Sequence, residues 1–263
     1  MSKKSRYIIP NFFTGISFML GIFSTLIVTS FYIPFNEQDR IFIGKAPIIV
    51  AAWMICWCVC LDKLDGFAAK IMKASSDFGA QFDSLADLIA FGVAPCFLVY
   101  FYLQSASTDW SSHNRPLLII SLTVYVLCTA MRLARYNAID GEELGAYFQG
   151  LPSTFAGGFV ALSVILFDKY NFHLFHPNSY YILPFILIFM GLMMVSPFYL
   201  PKVVKRKNKW INIIQIIAVA SGYLFGFGMK LPEYLIGILL VYGIGGFSFC
   251  ILNKGMIEIQ ASG

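Results

Sequence analysis

The sequence predicts an all-α, polytopic membrane helix bundle of about eight transmembrane helices, and three observations carry that prediction. Of the 263 residues, 58% are hydrophobic and only 13% charged, against about a quarter charged in a soluble domain; the mean hydropathy is +0.72. The apolar runs are continuous and approach the roughly 20 residues that a helix rising about 1.5 Å per residue needs to cross a bilayer. They far exceed the alternating strands of about 10 residues that build an outer-membrane barrel. Finally, the basic residues gather on alternate loops. Eight spans use roughly 160 residues and leave about 100 for tails and loops, so residues 1–263 read as one membrane domain.

In chain order, Phe12–Ile33 is the first span, preceded by Lys3, Lys4 and Arg6. A charged start before an apolar run also fits a secretory signal, but the run is span-length and no small-residue cleavage pattern closes it. Ala46–Leu61 ends against Asp62 and Lys63, and Leu85–Leu103 follows the Asp83 region. Pro116–Met131 ends on Arg132 and Arg135; Ser153–Phe167 and Tyr180–Ser196 follow. Ile211–Phe227 comes after the basic cluster Lys202, Lys205, Arg206, Lys207 and Lys209, and Glu233–Leu252 is last, before Lys254. With Lys70 and Lys73, one side of the membrane then holds 14 of the 19 basic residues; the other holds Arg40, Lys45, Arg115, Lys169 and Lys230. The positive-inside rule puts both termini in the cytoplasm, as an even number of spans requires. The net charge of +5 therefore reads as attraction to an anionic inner leaflet, with no nucleic-acid partner.

Cys56, Cys58, Cys60, Cys96, Cys128 and Cys250 all fall in predicted spans. Residues two apart on a helix face different ways, so the first three cannot converge on one ion, and the set reads as packing residues. His113, His173 and His176 fall in external loops without accompanying ligands. The acidic residues are different. Only 14 exist, and five lie within the 26 positions 62–87, four of them as the pairs Asp62 with Asp65 and Asp83 with Asp87. Asp62 and Asp65 are three apart and Asp83 and Asp87 four apart, so each pair shares one helix face. The intervening Lys73-Ala-Ser-Ser-Asp-Phe-Gly79 has turn and cap character, making the helices antiparallel neighbours. Like charges about 4 Å apart repel by roughly 4 kcal/mol at an effective dielectric near 20, so the four carboxylates call for one or two divalent cations. Their oxygens suit Mg2+, Mn2+ or Ca2+ better than zinc, and a two-metal centre is a known device at phosphorus. Aspartates that merely cap helix ends are the alternative.

The spacing Asp62-x2-Asp65-Gly66-x2-Ala69-Lys70-x8-Gly79-x3-Asp83-x3-Asp87 resembles the signature D-x2-D-G-x2-A-R-x8-G-x3-D-x3-D of the CDP-alcohol phosphotransferases, membrane enzymes of phospholipid synthesis. Seven of its eight fixed positions match. The departure is Lys70, a point charge where the family has the planar fork of arginine; a snorkelling lysine or an inactive paralogue are the readings this leaves open. Further segments are similar to the membrane-embedded phosphatidylserine synthases within that family: Ile9-Pro-Asn-Phe-Phe-Thr14, Leu85-Ala-Asp-Leu-Ile-Ala-Phe-Gly-Val-Ala-Pro95, Met131-Arg-Leu-Ala-Arg-Tyr-Asn137 and Phe148-Gln-Gly-Leu-Pro-Ser153. Arg132 and Arg135, three apart and so on one helix face, suit a carboxylate or phosphate. That fits serine, or alternatively glycerol phosphate or inositol phosphate; simple membrane anchors are the plainer alternative. Asn137 adds a polar contact.

The resemblance implies Asp62, Asp65, Asp83 and Asp87 as metal ligands, with Asp87 also the general base for the serine hydroxyl. It implies Gly66, Lys70, Ser76 and Gly79 as contacts of the CDP-diacylglycerol nucleotide, with Asn11 and Thr14 bordering the same pocket. Arg132, Arg135 and Asn137 are the expected serine contacts. The expected substrates are CDP-diacylglycerol and L-serine, the site faces the cytoplasm at the inner membrane, and the homodimers common in the family are a further expectation. Relatives making phosphatidylglycerol phosphate, inositol lipids or phosphatidylcholine are the nearest alternative. An ion-coupled transporter with intramembrane aspartates is more remote, because the aspartate cluster has no second copy of the kind inverted repeats would give.

Overall fold

The computed structural model describes residues 8–32, 47–72, 77–106, 115–138, 147–171, 181–202 and 209–252. Ser76, the other residues of 73–76, the three histidines, both chain ends and much of the basic set lie outside the described residues, as do the side chains of Asp65 and Lys70. The helices are α1 (Ile8–Tyr32), α2 (Pro47–Met72), α3 (Asp77–Asp87), α4 (Ala94–Ala106), α5 (Arg115–Ala138), α6 (Ser153–Lys169), α7 (Ile182–Val195), α8 (Lys209–Phe227) and α9 (Pro232–Leu252). A π-helical stretch, Leu88–Val93, joins α3 to α4 in one rod. Two short strands, β1 (Tyr147–Gln149) and β2 (Tyr199–Pro201), pair antiparallel with Phe148 opposite Leu200.

Among the described residues six helical segments are long and apolar enough to cross a membrane: α1, α2, the α3–α4 rod, α5, α8 and α9. The predicted fifth and sixth spans are shorter. The helix α6 has 17 residues and α7 has 14, or about 26 Å and 21 Å against a hydrocarbon core near 30 Å. Enclosure accounts for α6: Ser153 through Ile165 are all buried, because α2, α4, α7, α9 and the π stretch pack around it. By contrast α8 and α9 expose Ile214, Ile217, Leu224, Val241 and Ile244, apolar surface of the kind that lipid solvates.

Helix α2 runs past its predicted end at Leu61 to Met72, and α3 begins at Asp77, before the predicted Leu85, so both acidic pairs sit within helices rather than at their ends. Cys58 of α2 packs with Ala90 and Phe91, while Asp62, one turn on, meets Asp83 and Asp87. Ascending order on α2 thus matches descending order on the rod, the antiparallel arrangement that the short connection predicts.

The π stretch has an identifiable cause. Ala94 donates its N–H to the Ile89 carbonyl, five residues back. Next comes Pro95, which has no N–H and whose ring would strike the carbonyl four residues back in a regular helix; that carbonyl is Phe91. The wider turn relieves the clash, and the buried Tyr125 hydroxyl of α5 donates to the Phe91 oxygen at 2.9 Å. Glycines let neighbours close in here: a Cβ on Gly21 of α1 would lie 3.0 Å from the Ala90 backbone, and one on Gly157 of α6 would lie 3.0 Å from the Phe91 ring. Small residues play this part wherever membrane helices touch closely. Two buried hydroxyls bond within their own helix: Thr129 donates to the Tyr125 carbonyl and Ser163 to that of Phe159, the back-bonding open to Ser and Thr within helices. At the far end of α6, Lys169 and Tyr170 both donate to Glu233 in the first turn of α9, with each charge at the helix terminus that favours it.

Candidate functional site

The carboxylates of Asp62, Asp83 and Asp87 present ligand oxygens that all lie within 4.8 Å of one another. They come from within α2 and from the last turns of α3, and the π stretch beginning at Leu88 anchors Asp87 against α5 and α6. Asp87 is buried, as are Arg132 of α5 and Ser153 at the start of α6. The Arg132 guanidinium donates through Nη1 to Ser153 Oγ at 2.8 Å, and Ser153 Oγ donates to Asp87 Oδ2 at 3.1 Å. Arg132 also lies over the Tyr136 ring, 5.8 Å from its centroid. Among the described residues it is the one buried cation, set against three carboxylates, and Lys63 beside Asp62 is exposed to solvent. Two negative charges remain to be offset. An all-oxygen ligand set with that excess fits a hard divalent cation such as Mg2+ or Mn2+.

The predicted arginine pair divides. While Arg132 turns toward the aspartates, Arg135 turns the other way: Nη2 donates to the carbonyls of Gln149 at 3.0 Å and Met194 at 3.1 Å, and Nη1 to that of Val195 at 3.2 Å. Positions three apart stand about 60° apart around a helix and nearly one turn apart along it, and from there the long side chains reach different partners. Arg135 thereby ties the C-terminus of α7 to the Phe148–Ser153 segment, which also bonds through Gly150 N–H to the Phe198 carbonyl at 2.7 Å and Leu151 N–H to that of Met193 at 3.0 Å. Gly150 has φ +74°, and a Cβ there would lie 2.2 Å from the Met194 oxygen, so only glycine makes this turn. The turn sets Pro152, with extended backbone at φ −61° and ψ 142°, before the first residue of α6, Ser153.

The remaining predicted residues fall around this centre. Asn137 is exposed and joins α5 to α3, donating to Ser84 Oγ at 2.9 Å, next to Asp83. Gly66 lies one turn beyond Asp62 on the same face of α2; it is exposed, and among the described residues a Cβ there would meet no atom within 4 Å. Gly79 is half-buried in the first turn of α3. On α1, which packs along α2 and α3, Thr14 is buried and Asn11 half-buried; Phe18, one turn beyond Thr14, meets Phe82 with ring centroids 6.3 Å apart. Asp65 and Lys70 lie on the α2 backbone, with their side chains outside the described residues. Sequence reasoning overlooked Ser153 as a site residue. Its signal was the Phe148–Ser153 segment itself, in which glycine and proline fix the position of the serine.

Fold and site together define an integral membrane protein with a carboxylate centre enclosed by its helices. Residues 7–195 match the CDP-alcohol phosphatidyltransferase family. A Helicobacter pylori protein named CDP-diacylglycerol–serine O-phosphatidyltransferase is 30% identical over 239 residues, 90% of each chain. Proteins of the same name from Methanocaldococcus jannaschii and Bacillus subtilis are 31% identical over 188 residues, 72% of this chain and 78% of that one, and 37% identical over 112 residues, 42% and 56%. The chain belongs to the CDP-alcohol phosphatidyltransferase family, and it is a phosphatidyltransferase enzyme.

Arg135→Ala strands three carbonyls that now receive a charged donor. The expected loss is about 3 kcal/mol, read as a lowered unfolding midpoint in detergent, with Arg135→Lys recovering only part because a point charge cannot fork. A midpoint equal to wild type would show that the segment holds without the arginine.

Proposed function

We infer that the enzyme transfers the phosphatidyl group of CDP-diacylglycerol to the hydroxyl of L-serine, giving phosphatidylserine and CMP. The observation that carries this reading is the cluster of Asp62, Asp83 and Asp87 beside a buried arginine, in a chain 30% identical over 90% of its length to a protein named for that reaction. Asp65 joins the three aspartates in holding a pair of divalent cations. Bound there, the cations offset negative charge on the donor diphosphate and on the departing CMP.

The residues of the chain do the rest. Gly66, Lys70, Ser76 and Gly79 receive the nucleotide, Lys70 meeting the diphosphate, while Asn11 and Thr14 border the same pocket from α1. The acyl chains stay among the lipid-facing helices. Arg132 meets the serine carboxylate with the N–H groups that Ser153 leaves free, whereas Arg135 and Asn137 hold the surrounding segments in place. Asp87 takes the proton as the serine oxygen attacks the β-phosphorus. A new P–O bond forms to serine, the P–O bond to CMP breaks, and CMP leaves with the electron pair. The chain crosses the cytoplasmic membrane eight times with both termini inside and the site on the cytoplasmic face, as the basic loops require.

Purified enzyme given CDP-diacylglycerol, Mn2+ and labelled serine should form labelled lipid and release CMP in equal amounts, and EDTA should abolish both. Label entering from glycerol 3-phosphate and not from serine would overturn the choice of acceptor. Gly66→Ala separates fold from chemistry. Alanine stabilises a helix interior by up to about 1 kcal/mol over glycine and meets no neighbour here, so the unfolding midpoint should hold or rise while the KM for CDP-diacylglycerol rises. An unaltered KM would remove Gly66 from the donor site.

A further inference from the structure

We propose that Ser153 is a positioning residue of the phosphatidyl-transfer reaction, fixing the carboxylate of Asp87 through its hydroxyl while braced by Arg132; this rests on the reading of Asp87 and the substrates given above. The direction of the hydrogen bonds is forced. A guanidinium only donates and an ionised carboxylate only accepts. Ser153 Oγ, 2.8 Å from Arg132 Nη1 and 3.1 Å from Asp87 Oδ2, must therefore accept from the first and give its single proton to the second. One carboxylate oxygen of Asp87 is tethered, and the other stays free of this bond. All three groups are buried, so no solvent competes for the contacts.

The hydroxyl is also a spacer. Without it Arg132 and Asp87 can approach each other directly, and the carboxylate is drawn from Asp62 and Asp83 toward the guanidinium. The backbone is built to deliver this atom. Gly150 turns at positive φ, Arg135 holds the Gln149 carbonyl, and Pro152 sets the entry to α6. The rigid seat places Ser153 between the Asp87 carboxylate and the Arg132 guanidinium.

The test compares Ser153→Ala, Ser153→Thr and Ser153→Val, where the last two match in shape and differ in the hydroxyl. Mn2+ binding is followed by electron paramagnetic resonance of the free ion, and turnover by CMP release. Loss of a group that orients a metal ligand typically costs about 10- to 100-fold in metal affinity or activity. Ser153→Ala and Ser153→Val should therefore bind Mn2+ at least about tenfold more weakly and show a correspondingly lower kcat, with the KM for CDP-diacylglycerol unchanged and Ser153→Thr restored toward wild type. Mn2+ affinity and kcat within about twofold of wild type in Ser153→Ala, or equal behaviour of the Thr and Val variants, would overturn the proposal. The Mn2+ titration needs no substrate. A wild-type enzyme that makes no lipid from serine would thus count against the reaction assigned above, and the role of Ser153 would still be decided by ion binding.

Discussion

The constraint on which the rest of the structure depends is the gathering of like charge in an apolar bundle. Three carboxylates hold their oxygens within 4.8 Å of one another, and each close pair costs roughly 4 kcal/mol at an effective dielectric near 20. Ionised groups inside a membrane protein are expensive and carry function. One buried guanidinium offsets part of the charge, and the remainder is a standing attraction for a divalent cation. Such a centre keeps its shape only if the helices bearing it cannot move apart.

The surrounding features supply that rigidity. Pro95 forces the π turn after Asp87, and the Phe91 carbonyl takes its hydrogen bond from Tyr125, so the rod that carries two aspartates is fastened to α5, the helix that carries both arginines. Close approaches at Gly21 and Gly157 press α1 and α6 onto the same stretch. On the other side, Arg135 and the turn at Gly150 clamp the entry to α6. Tyr223 of α8 donates to the Cys60 carbonyl at 3.0 Å and braces α2 just before Asp62. These contacts join helices distant in sequence, and each lies within a few residues of the centre.

Much of this was legible in the chain. Acidic residues are so scarce that five in 26 positions stand out, and the spacing of Asp62 with Asp65 and of Asp83 with Asp87 gives helix faces directly. The long apolar runs marked the six helices among the described residues that are long and apolar enough to cross a membrane. What stayed hidden depends on tertiary contact. Ser153–Phe167 and Tyr180–Ser196 look like the other spans in composition, which does not tell that α6 is enclosed by its neighbours. Pro95 is the local cause of the π turn, but Tyr125, which bonds the Phe91 carbonyl, lies 34 residues beyond Phe91. Arg132 and Arg135 look equivalent on a helical face; only the carbonyls left open at the end of α7 and beside Gly150 separate their tasks. The β1–β2 pair is three residues long on each side and leaves too short a pattern to read.

On the proposed function the aspartate centre binds divalent cations first and is catalytic in consequence. Calorimetric titration of Mn2+ into the purified enzyme, beside Asp62→Asn, Asp83→Asn and Asp87→Asn, tests this most directly. Saturable binding in the wild type that each substitution abolishes or weakens severely, with the unfolding midpoint retained, is the predicted result. Binding of equal strength in all four proteins, or none in the wild type, would contradict it.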